Sequence, residues 1–183
     1  GRPPGGAAAN RCGRAAARPP ARSAGGAAKA CAAGPQSSAA EFVFPYRAHA
    51  PVEPLNGVVK LSADRCDIWN GEQFHTADQQ AVAQLVGLKP EQVFINQVYA
   101  GGSFGRRASS TSDYVVEAAA IAKGIASAGK RDIPVKLVWT REDDMTGGYY
   151  RPVYLHTMSA ALDASNNVPG WQHRIVGQAI TEG

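Results

Sequence analysis

The chain has 183 residues, which is enough for one or two domains with a buried core. Its formal net charge is +4, but residues 1–40 contain five Arg, one Lys and no acidic residue and so contribute +6, which leaves −2 for residues 41–183. Because the basic character belongs to the N-terminal segment alone, the charge distribution argues against a nucleic-acid-binding domain.

Residues 1–40 consist almost entirely of Ala, Gly, Pro and Arg, and they contain no Leu, Ile, Val or aromatic residue. Such a segment cannot bury enough apolar surface to offset the entropy of ordering, so we predict that it is disordered. It lacks the apolar stretch of a secretory signal, and no later run is long enough to span a membrane. An organelle transit segment, a basic nucleic-acid arm and a non-native, out-of-frame start remain open, and we favour the last.

From residue 41 the chain has the pattern of a folded domain. Strands are predicted near 57–61 and 65–70, and the segment FHTADQQAVAQLVGLKP predicts a helix. Thr76 is its predicted N-cap, with Gln79 completing a capping box, and Gly87 suits the left-handed position after the helix. Pro90 prevents its continuation. The expected apolar face consists of Ala81, Val82, Leu85 and Val86.

The second half continues with a strand at 93–99, then a glycine-rich loop and a helix that begins near 110–112 with Asp113 at its positive end. The expected buried stripe of this helix is Tyr114, Ala118, Ile121, Ala122 and Ile125. Gly129 ends the helix. The apolar segment IPVKLVWT predicts a strand covered on both faces, REDDM a polar turn with helical potential, and the remainder a hairpin through Asn166 and Asn167. The sequence predicts an α+β fold, a mixed sheet with helices packed on it.

The glycine-rich loop GGSFGRR (residues 101–107) raises the question of a ligand. Missing Cβ atoms at Gly101, Gly102 and Gly105 allow close approach, and outward-facing amides can bind an anion. The loop has neither the Lys-Ser/Thr of a Walker A motif nor the GxGxxG dinucleotide fingerprint. A tight structural loop, with Phe104 in the core and both arginines solvated, explains the pattern equally well.

Isolated polar and aromatic residues favour structural roles. Cys12, Cys31 and Cys66 form no metal-binding or disulfide pattern, and Cys66 is expected to be a small apolar strand residue. His49 and His75 fit hydrogen bonds at strand ends better than metal ligation. The acidic run Glu142, Asp143 and Asp144 fits a capped turn better than a metal site, and Trp69, Trp139 and Trp171 are expected to anchor the core.

Four separated segments together resemble one family. HAPVEPLN (49–56), WNGEQFHTADQQ (69–80), GGSFGRR (101–107) and VKLVWTREDDM (135–145) are similar, in this order, to the molybdenum-cofactor-binding large subunit of the xanthine oxidase family. GGYYRP (147–152) fits the branch of isoquinoline 1-oxidoreductase β subunits and bacterial aldehyde oxidoreductases. The resemblance covers residues 41–183, which we interpret as part of a molybdenum-cofactor-binding domain.

The resemblance implies a molybdenum cofactor, expected as molybdopterin cytosine dinucleotide, and assigns residues to it. Gln73 and Phe104 would lie against the metal centre, with Gln73 as the catalytic side chain. The cofactor-binding set would be Gln73, Gly101, Gly102, Ser103, Phe104, Gly105 and Arg106. Ser103 departs from a third glycine in the family's loop. Ala108 replaces a glutamate of purine-specific members and argues against a purine substrate, and Arg151 lies near a substrate-binding arginine. Arg106 and Arg107 would contact phosphates or form ion pairs with Asp143 and Asp144, and we favour the ion pairs.

The activity that the resemblance implies is hydroxylation of an N-heteroaromatic or aldehyde substrate with water as the oxygen source. Electrons would leave through [2Fe-2S] clusters on an iron–sulfur small subunit. The family's general base is a glutamate far toward the C-terminus, absent from this chain, so we expect an inactive fragment. The alternative is a stand-alone module that binds an anion or nucleotide. Gln73 distinguishes the two hypotheses, because only the first requires it to contact the Phe104 loop.

Overall fold

The computed structural model describes residues 22–33 and 36–178, which form two compact units. The larger unit comprises residues 47–151, and the smaller one is built from the segments on either side of it. The larger unit contains, in chain order, β2 (Arg47–Ala48), β3 (Asn56–Leu61), β4 (Cys66–Asn70), α2 (His75–Val86), a 3₁₀ turn (Pro90–Gln92), β5 (Val93–Gln97), α3 (Asp113–Ser127), β6 (Pro134–Val138), α4 (Arg141–Gly147) and β7 (Tyr150–Arg151). The smaller unit contains α1 (Ala27–Ala33), β1 (Gln36–Phe44), β8 (Tyr154–Leu162) and β9 (Gly170–Gly177).

The larger unit is built on a four-stranded sheet of order β5–β4–β3–β6. Strand β4 pairs in parallel with β5, whereas β3 is antiparallel to both β4 and β6. Burial alternates along β3, so Gly57, Val59 and Leu61 point into the core that α2 and α3 cover. This mixed sheet with helices packed on it confirms the predicted α+β class.

Helix α2 confirms the predicted helix but not its N-cap. It begins at His75, one residue before Thr76, and the carbonyl of Phe74 accepts the amides of Ala77 and Asp78 at 3.1 Å each. The carbonyl oxygen of Phe74, and not the hydroxyl of Thr76, therefore accepts the amide hydrogens of the first helical turn. The capping box is likewise wrong for Gln79, whose amide instead donates to the carbonyls of Pro90 and Val93. Gly87 follows the helix at φ +79°, as predicted.

Helix α3 starts where the sequence predicted, but its buried face is richer in alanine than expected. Ile121 is 41% exposed and Ile125 is half-buried. The core face instead consists of Tyr114, Val115, Ala118, Ala119, Ala122 and Ala126. Small alanine side chains let the helix axis approach the sheet, and the branched residues then fall at the rim of the contact.

Strand β6 is not covered on both faces, as its apolar composition had suggested. It is an edge strand that pairs only with β3, and burial alternates along it. The prediction failed because Val135 and Leu137 pack on the core while Val138 lies on the exposed face. The tryptophan prediction also fails in part, since Trp69 is 37% and Trp171 54% exposed. Cys66 is fully buried in β4, as expected, and its burial raises its pKa to about 11.

The smaller unit is an antiparallel sheet of order β1–β8–β9 with α1 packed against β8 and β9. It corrects the predicted boundary of the disordered segment, because α1 and the first five residues of β1 precede residue 41. Backbone pairing with β8 orders this part of the chain although its side chains are small. Residues 1–21, including Cys12, and residues 34 and 35 lie outside the described residues. The predicted hairpin is confirmed, with Asn166 at φ +61°.

Among the helices of residues 22–33 and 36–178, none has the length and apolar composition needed to cross a bilayer.

Candidate functional site

The glycine-rich segment forms the connection from β5 to α3 in the larger unit. We call residues 102–105 the loop tip and the pair Arg106 and Arg107 the loop anchor. Within the tip, Gly102 and Gly105 have φ values of +81° and +98°, and Phe104 has φ +54°. A phenylalanine in the left-handed region is uncommon, and its side chain is 56% exposed. The structure therefore excludes the interpretation of Phe104 as a core residue.

The loop anchor is buried and neutralised. Arg106 is 3% exposed; its Nη2 donates to Asp113 at 2.7 Å, and its Nε lies 3.3 Å from Asp144. Arg107 is 1% exposed, donates from Nη2 to the carbonyl of Pro54 and lies 3.8 Å from Glu53. Their guanidinium groups also face the rings of Trp139 and Tyr114. The structure thus favours ion pairs over phosphate binding, although Asp143 caps α4 at Thr140 and takes no part.

Glu53 ties the start of the loop to the preceding segment. Its Oε2 accepts the amide of Gly101 at 2.6 Å, and its Oε1 accepts the side-chain amide of Asn56 at 2.6 Å. These hydrogen bonds, first that of Asn56, hold the pKa of Glu53 below its usual value, and the charge of Arg107 acts in the same direction. A Cβ on Gly101 would lie 2.9 Å from Glu53, so this glycine makes room for a protein carboxylate.

Gln73 contacts the loop, as the first hypothesis requires. It follows β4, its side chain is exposed, and its Oε1 accepts the amide of Arg107 at 3.3 Å. The neighbouring backbone is held by Gln97, whose amide donates to the carbonyl of Glu72. This arrangement places Gln73 at the boundary between the loop anchor and the loop tip.

The loop tip differs from the flanking residues in its unpaired backbone amides. The amides of Gly101, Gly102, Arg106, Arg107 and Ala108 all donate to protein oxygens. Within the part of the chain that the structure describes, the amides of residues 103–105 have no hydrogen-bond acceptor, and the buried hydroxyl of Ser103 has no partner. Three successive amides that face no protein acceptor are the arrangement expected of a binding surface for oxygen or sulfur ligands.

The two candidate substrate residues lie at different positions around this tip. The Nη2 of Arg151 donates to the carbonyl of Phe104 at 2.7 Å, so it holds the tip in place. Ala108 is exposed just beyond the loop anchor. His49 packs beside Gly105 and contacts the carbonyl of Tyr149 through Nδ1, which fits the structural role predicted for it. Burial lowers the pKa of His49, and the charges of Arg151 and Arg106 lower it further.

Sequence reasoning missed a buried carboxyl pair below Gln73. Glu72 and Asp78 are 4% and 1% exposed and lie close enough to each other to interact, with Ser112 beside Asp78. Burial, followed by the neighbouring carboxyl, raises the pKa of Glu72 to about 8. Nδ1 of His75 lies 2.7 Å from Glu72, so that histidine pairs with an acid rather than ending a strand. Asp78 was overlooked because an acid in the first turn of a helix is ordinarily explained by the helix dipole.

No group of three or more His, Cys, Asp or Glu side chains suited to a metal occurs among the residues described. Residues 13–179 match the family model of the molybdopterin cofactor-binding domain. The chain belongs to this family. The match begins well before residue 41, inside the segment whose composition suggested a non-native start.

Two curated relatives agree with this assignment. The chain is 30% identical over 132 residues to isoquinoline 1-oxidoreductase subunit beta of Brevundimonas diminuta, covering 71% of this chain and 16% of the relative. It is 28% identical over 142 residues to the membrane-bound aldehyde dehydrogenase [pyrroloquinoline-quinone] of Gluconacetobacter polyoxogenes, covering 73% and 18%. The chain thus spans a small part of the length of both relatives.

Solved structures share the fold. The aldehyde oxidoreductase from Desulfovibrio gigas superposes with a TM-score of 0.62 at 21% identity, over 84% of this chain and 16% of that one. The quinoline 2-oxidoreductase from Pseudomonas putida 86 superposes with a TM-score of 0.60 at 17% identity, over 81% and 18%. Together with the family match, they confirm the resemblance to the molybdenum-cofactor-binding subunits of the xanthine oxidase family.

Proposed function

We propose that the loop tip and Gln73 form part of the molybdenum-cofactor site of an oxidoreductase that acts on an N-heteroaromatic or aldehyde substrate. The observation that carries the proposal is the set of free amides at residues 103–105, next to the orphaned hydroxyl of Ser103. These donors suit the oxygen and sulfur atoms of the cofactor, so the residues present fit the group.

We assign different roles at this site to different residues of the chain. The amides of Phe104 and Gly105 would hold the cofactor, and the side-chain nitrogen of Gln73 would be free to donate to it, because the side-chain oxygen accepts the Arg107 amide. Gly101 and Gly102 would leave room for the cofactor to approach the backbone. Arg106 would support the site indirectly, because its ion pairs with Asp113 and Asp144 fix the loop. Arg151 positions the tip by its bond to the Phe104 carbonyl, and Ala108 leaves an apolar surface for a substrate ring.

The bound cofactor supplies hydroxylation with water as the oxygen source, and the protein contributes binding, orientation and dipoles. The cytosine dinucleotide form and electron transfer to an iron–sulfur partner subunit belong to the same proposal and rest on the resemblance to the family; the name of the Brevundimonas relative, a subunit beta, supports the presence of a second subunit. The roles that we propose for these residues are binding and orientation of the cofactor, and none of them is proposed as the general base.

The test is cofactor content after anaerobic purification from a host that makes the cytosine dinucleotide form. Molybdenum is measured by mass spectrometry and the oxidised pterin by fluorescence, and we expect equal amounts of both. Gly105→Ala, which strains the tip at φ +98°, should lower both. Gly129→Ala, at φ +82° beyond the end of α3 with nothing within 4 Å of its Cβ, is the matched control and should not.

Two results would overturn the proposal. One is equal loss of molybdenum in both glycine variants, because the loss would then follow from general destabilisation. The other is a protein that retains pyrroloquinoline quinone, the cofactor in the name of the Gluconacetobacter relative, in place of a pterin.

A further inference from the structure

Two histidines lie side by side on the sheet of the smaller unit. His156 in β8 and His173 in β9 have ring centroids 5.0 Å apart, and Nδ1 of His156 lies 2.9 Å from Nε2 of His173. Two doubly protonated rings could not make this contact, because each nitrogen would be a donor. At least one ring therefore offers a lone pair at the point where the two meet.

A methionine shares their face of the sheet. Met158 is directly opposite His173 in the register and is two residues after His156, so the three side chains project on the same side. His156 and Met158 also line an apolar cavity of about 400 Å³ together with Phe42, Phe44 and Tyr154. None of these five lining residues is acidic.

His156 is held in a defined orientation by its aromatic neighbours. The ring of Phe44 meets it edge to face at 5.1 Å and 76°, and Tyr154 lies 6.1 Å away at 60°. An oriented imidazole loses less conformational freedom when it binds a ligand than a mobile side chain does. The ring of His173 is exposed, which leaves a path for an ion to enter without unfolding the sheet.

We propose that His156, His173 and Met158 form a binding site for one copper ion in the cuprous state. Imidazole nitrogens bind the late first-row metals, and a thioether sulfur favours the soft cuprous ion over zinc. None of the three donors carries a negative charge, and Arg22, Lys29 and Arg174 line the adjoining surface with Met158 and His173, so a singly charged ion is easier to accommodate than a divalent one. This site rests on residues of the smaller unit and is independent of the proposed molybdenum chemistry.

The observed geometry requires an adjustment of the side chains. With metal–nitrogen distances of about 2.0–2.1 Å, two nitrogens on a three-coordinate ion lie roughly 3.5 Å apart. The present separation of 2.9 Å therefore has to widen by roughly 0.6 Å, and both rings have to turn so that their lone pairs converge on the ion. The change is confined to side chains, so the register of β8 and β9 is kept.

The test is an anaerobic competition titration of the full chain with Cu⁺ and a colorimetric cuprous chelator. We expect one Cu⁺ per chain, and His156→Gln or His173→Gln should weaken binding about 100-fold, since even residues that only support a ligand change metal affinity 10–100-fold. Met158→Leu should weaken Cu⁺ binding about tenfold and leave Zn²⁺ binding unchanged. Gln172→Ala, which alters the neighbouring position of β9 on the other face, is the control.

Circular dichroism checks that each variant folds, and X-ray absorption of the copper-loaded wild type tests the site without any substitution. A first shell of two light atoms and one sulfur supports the site. Unchanged Cu⁺ affinity in folded histidine variants, a first shell without sulfur, or tighter binding of Zn²⁺ than Cu⁺ would each overturn it.

Discussion

The loop anchor and the loop tip are adjacent in sequence but follow opposite physical rules. Arg106 and Arg107 are 3% and 1% exposed, and their guanidinium groups lie against carboxylates and a carbonyl. Phe104 is 56% exposed with a positive φ, and the amides around it have no acceptor in the described part of the chain. The two arginines that suggested an anion-binding site therefore hold the loop in place. The uncharged backbone amides of residues 103–105 remain available to bind a ligand.

The difference shows how a rigid support can hold a strained segment. A residue in the left-handed region costs about 1–2 kcal/mol and persists only where its surroundings fix it. Here Arg151 binds the carbonyl of Phe104, and Glu53 binds the amide of Gly101. The comparison predicts that changes in the anchor alter stability, whereas changes at the tip alter binding.

The largest effect is expected in the loop anchor. Arg106→Leu leaves Asp113 and the buried Asp144 without their shared partner, so it should lower the free energy of unfolding by about 3–5 kcal/mol in a urea titration. Arg65→Leu removes the pair between the exposed Arg65 and Asp67 and should destabilise the protein far less. Equal losses in the free energy of unfolding would contradict this prediction, because the buried ion pairs of the loop anchor would then stabilise the protein no more than a surface pair does.

A smaller effect is expected where the loop begins. In Gly101→Ala the new Cβ would lie 2.9 Å from Glu53, and the resulting displacement should cost about 2 kcal/mol. Gly124→Ala, an exposed position of α3 with nothing within 4 Å, should not destabilise the protein. Thermal unfolding of both variants provides the measurement, and an unaffected Gly101→Ala protein would show that Glu53 does not tie the loop.

The carboxyl pair beneath Gln73 predicts a pH dependence of stability. The pKa of Glu72 rises from 4.5 to about 8 on folding, so the folded state binds more protons between these values, and stability falls as the pH rises through that range. Glu72→Gln should flatten this slope and gain on the order of 1 kcal/mol at pH 8. The exposed Glu91→Gln is the control, and a slope unchanged by Glu72→Gln would contradict the assignment.

The smallest stability change is expected at Gln73, although its effect on binding should be large. Gln73→Ala removes one exposed hydrogen bond and should change stability by less than about 0.5 kcal/mol. It should weaken cofactor binding about tenfold, which corresponds to one hydrogen bond at a charged centre. Gln80→Ala, at an exposed position of α2, is the control and should change neither stability nor cofactor binding. A Gln73→Ala protein that is destabilised but binds the cofactor normally would contradict the prediction.

Periodicity and turn chemistry predicted the fold well where neighbours in sequence determine it. The hairpin at Asn166 and the helix end at Gly87 follow from residues that tolerate positive φ. The strand of residues 36–40 could not be predicted from composition, because it is ordered by pairing with a segment more than a hundred residues away. The edge position of β6 depends in the same way on the order of strands.

At the candidate site, the resemblance indicated Gln73 and the Phe104 loop, and the structure brings them together through the Arg107 amide. The resemblance could not show which backbone amides lack an acceptor, since that depends on how each amide is paired in three dimensions. The raised pKa of Glu72 and Asp78 could not be predicted either, because burial of both carboxyls follows from packing α2 against the sheet and α3.

The most direct test of the central claim is an NMR titration of the ¹⁵N-labelled chain with molybdenum cofactor released anaerobically from a purified molybdenum hydroxylase. The account predicts that the amide resonances of residues 103–105 and the side-chain amide of Gln73 shift first and saturate together. The Nε resonances of Arg106 and Arg107 should stay in place. Shifts centred on the two arginines, with the amides of the loop tip unchanged, would contradict it.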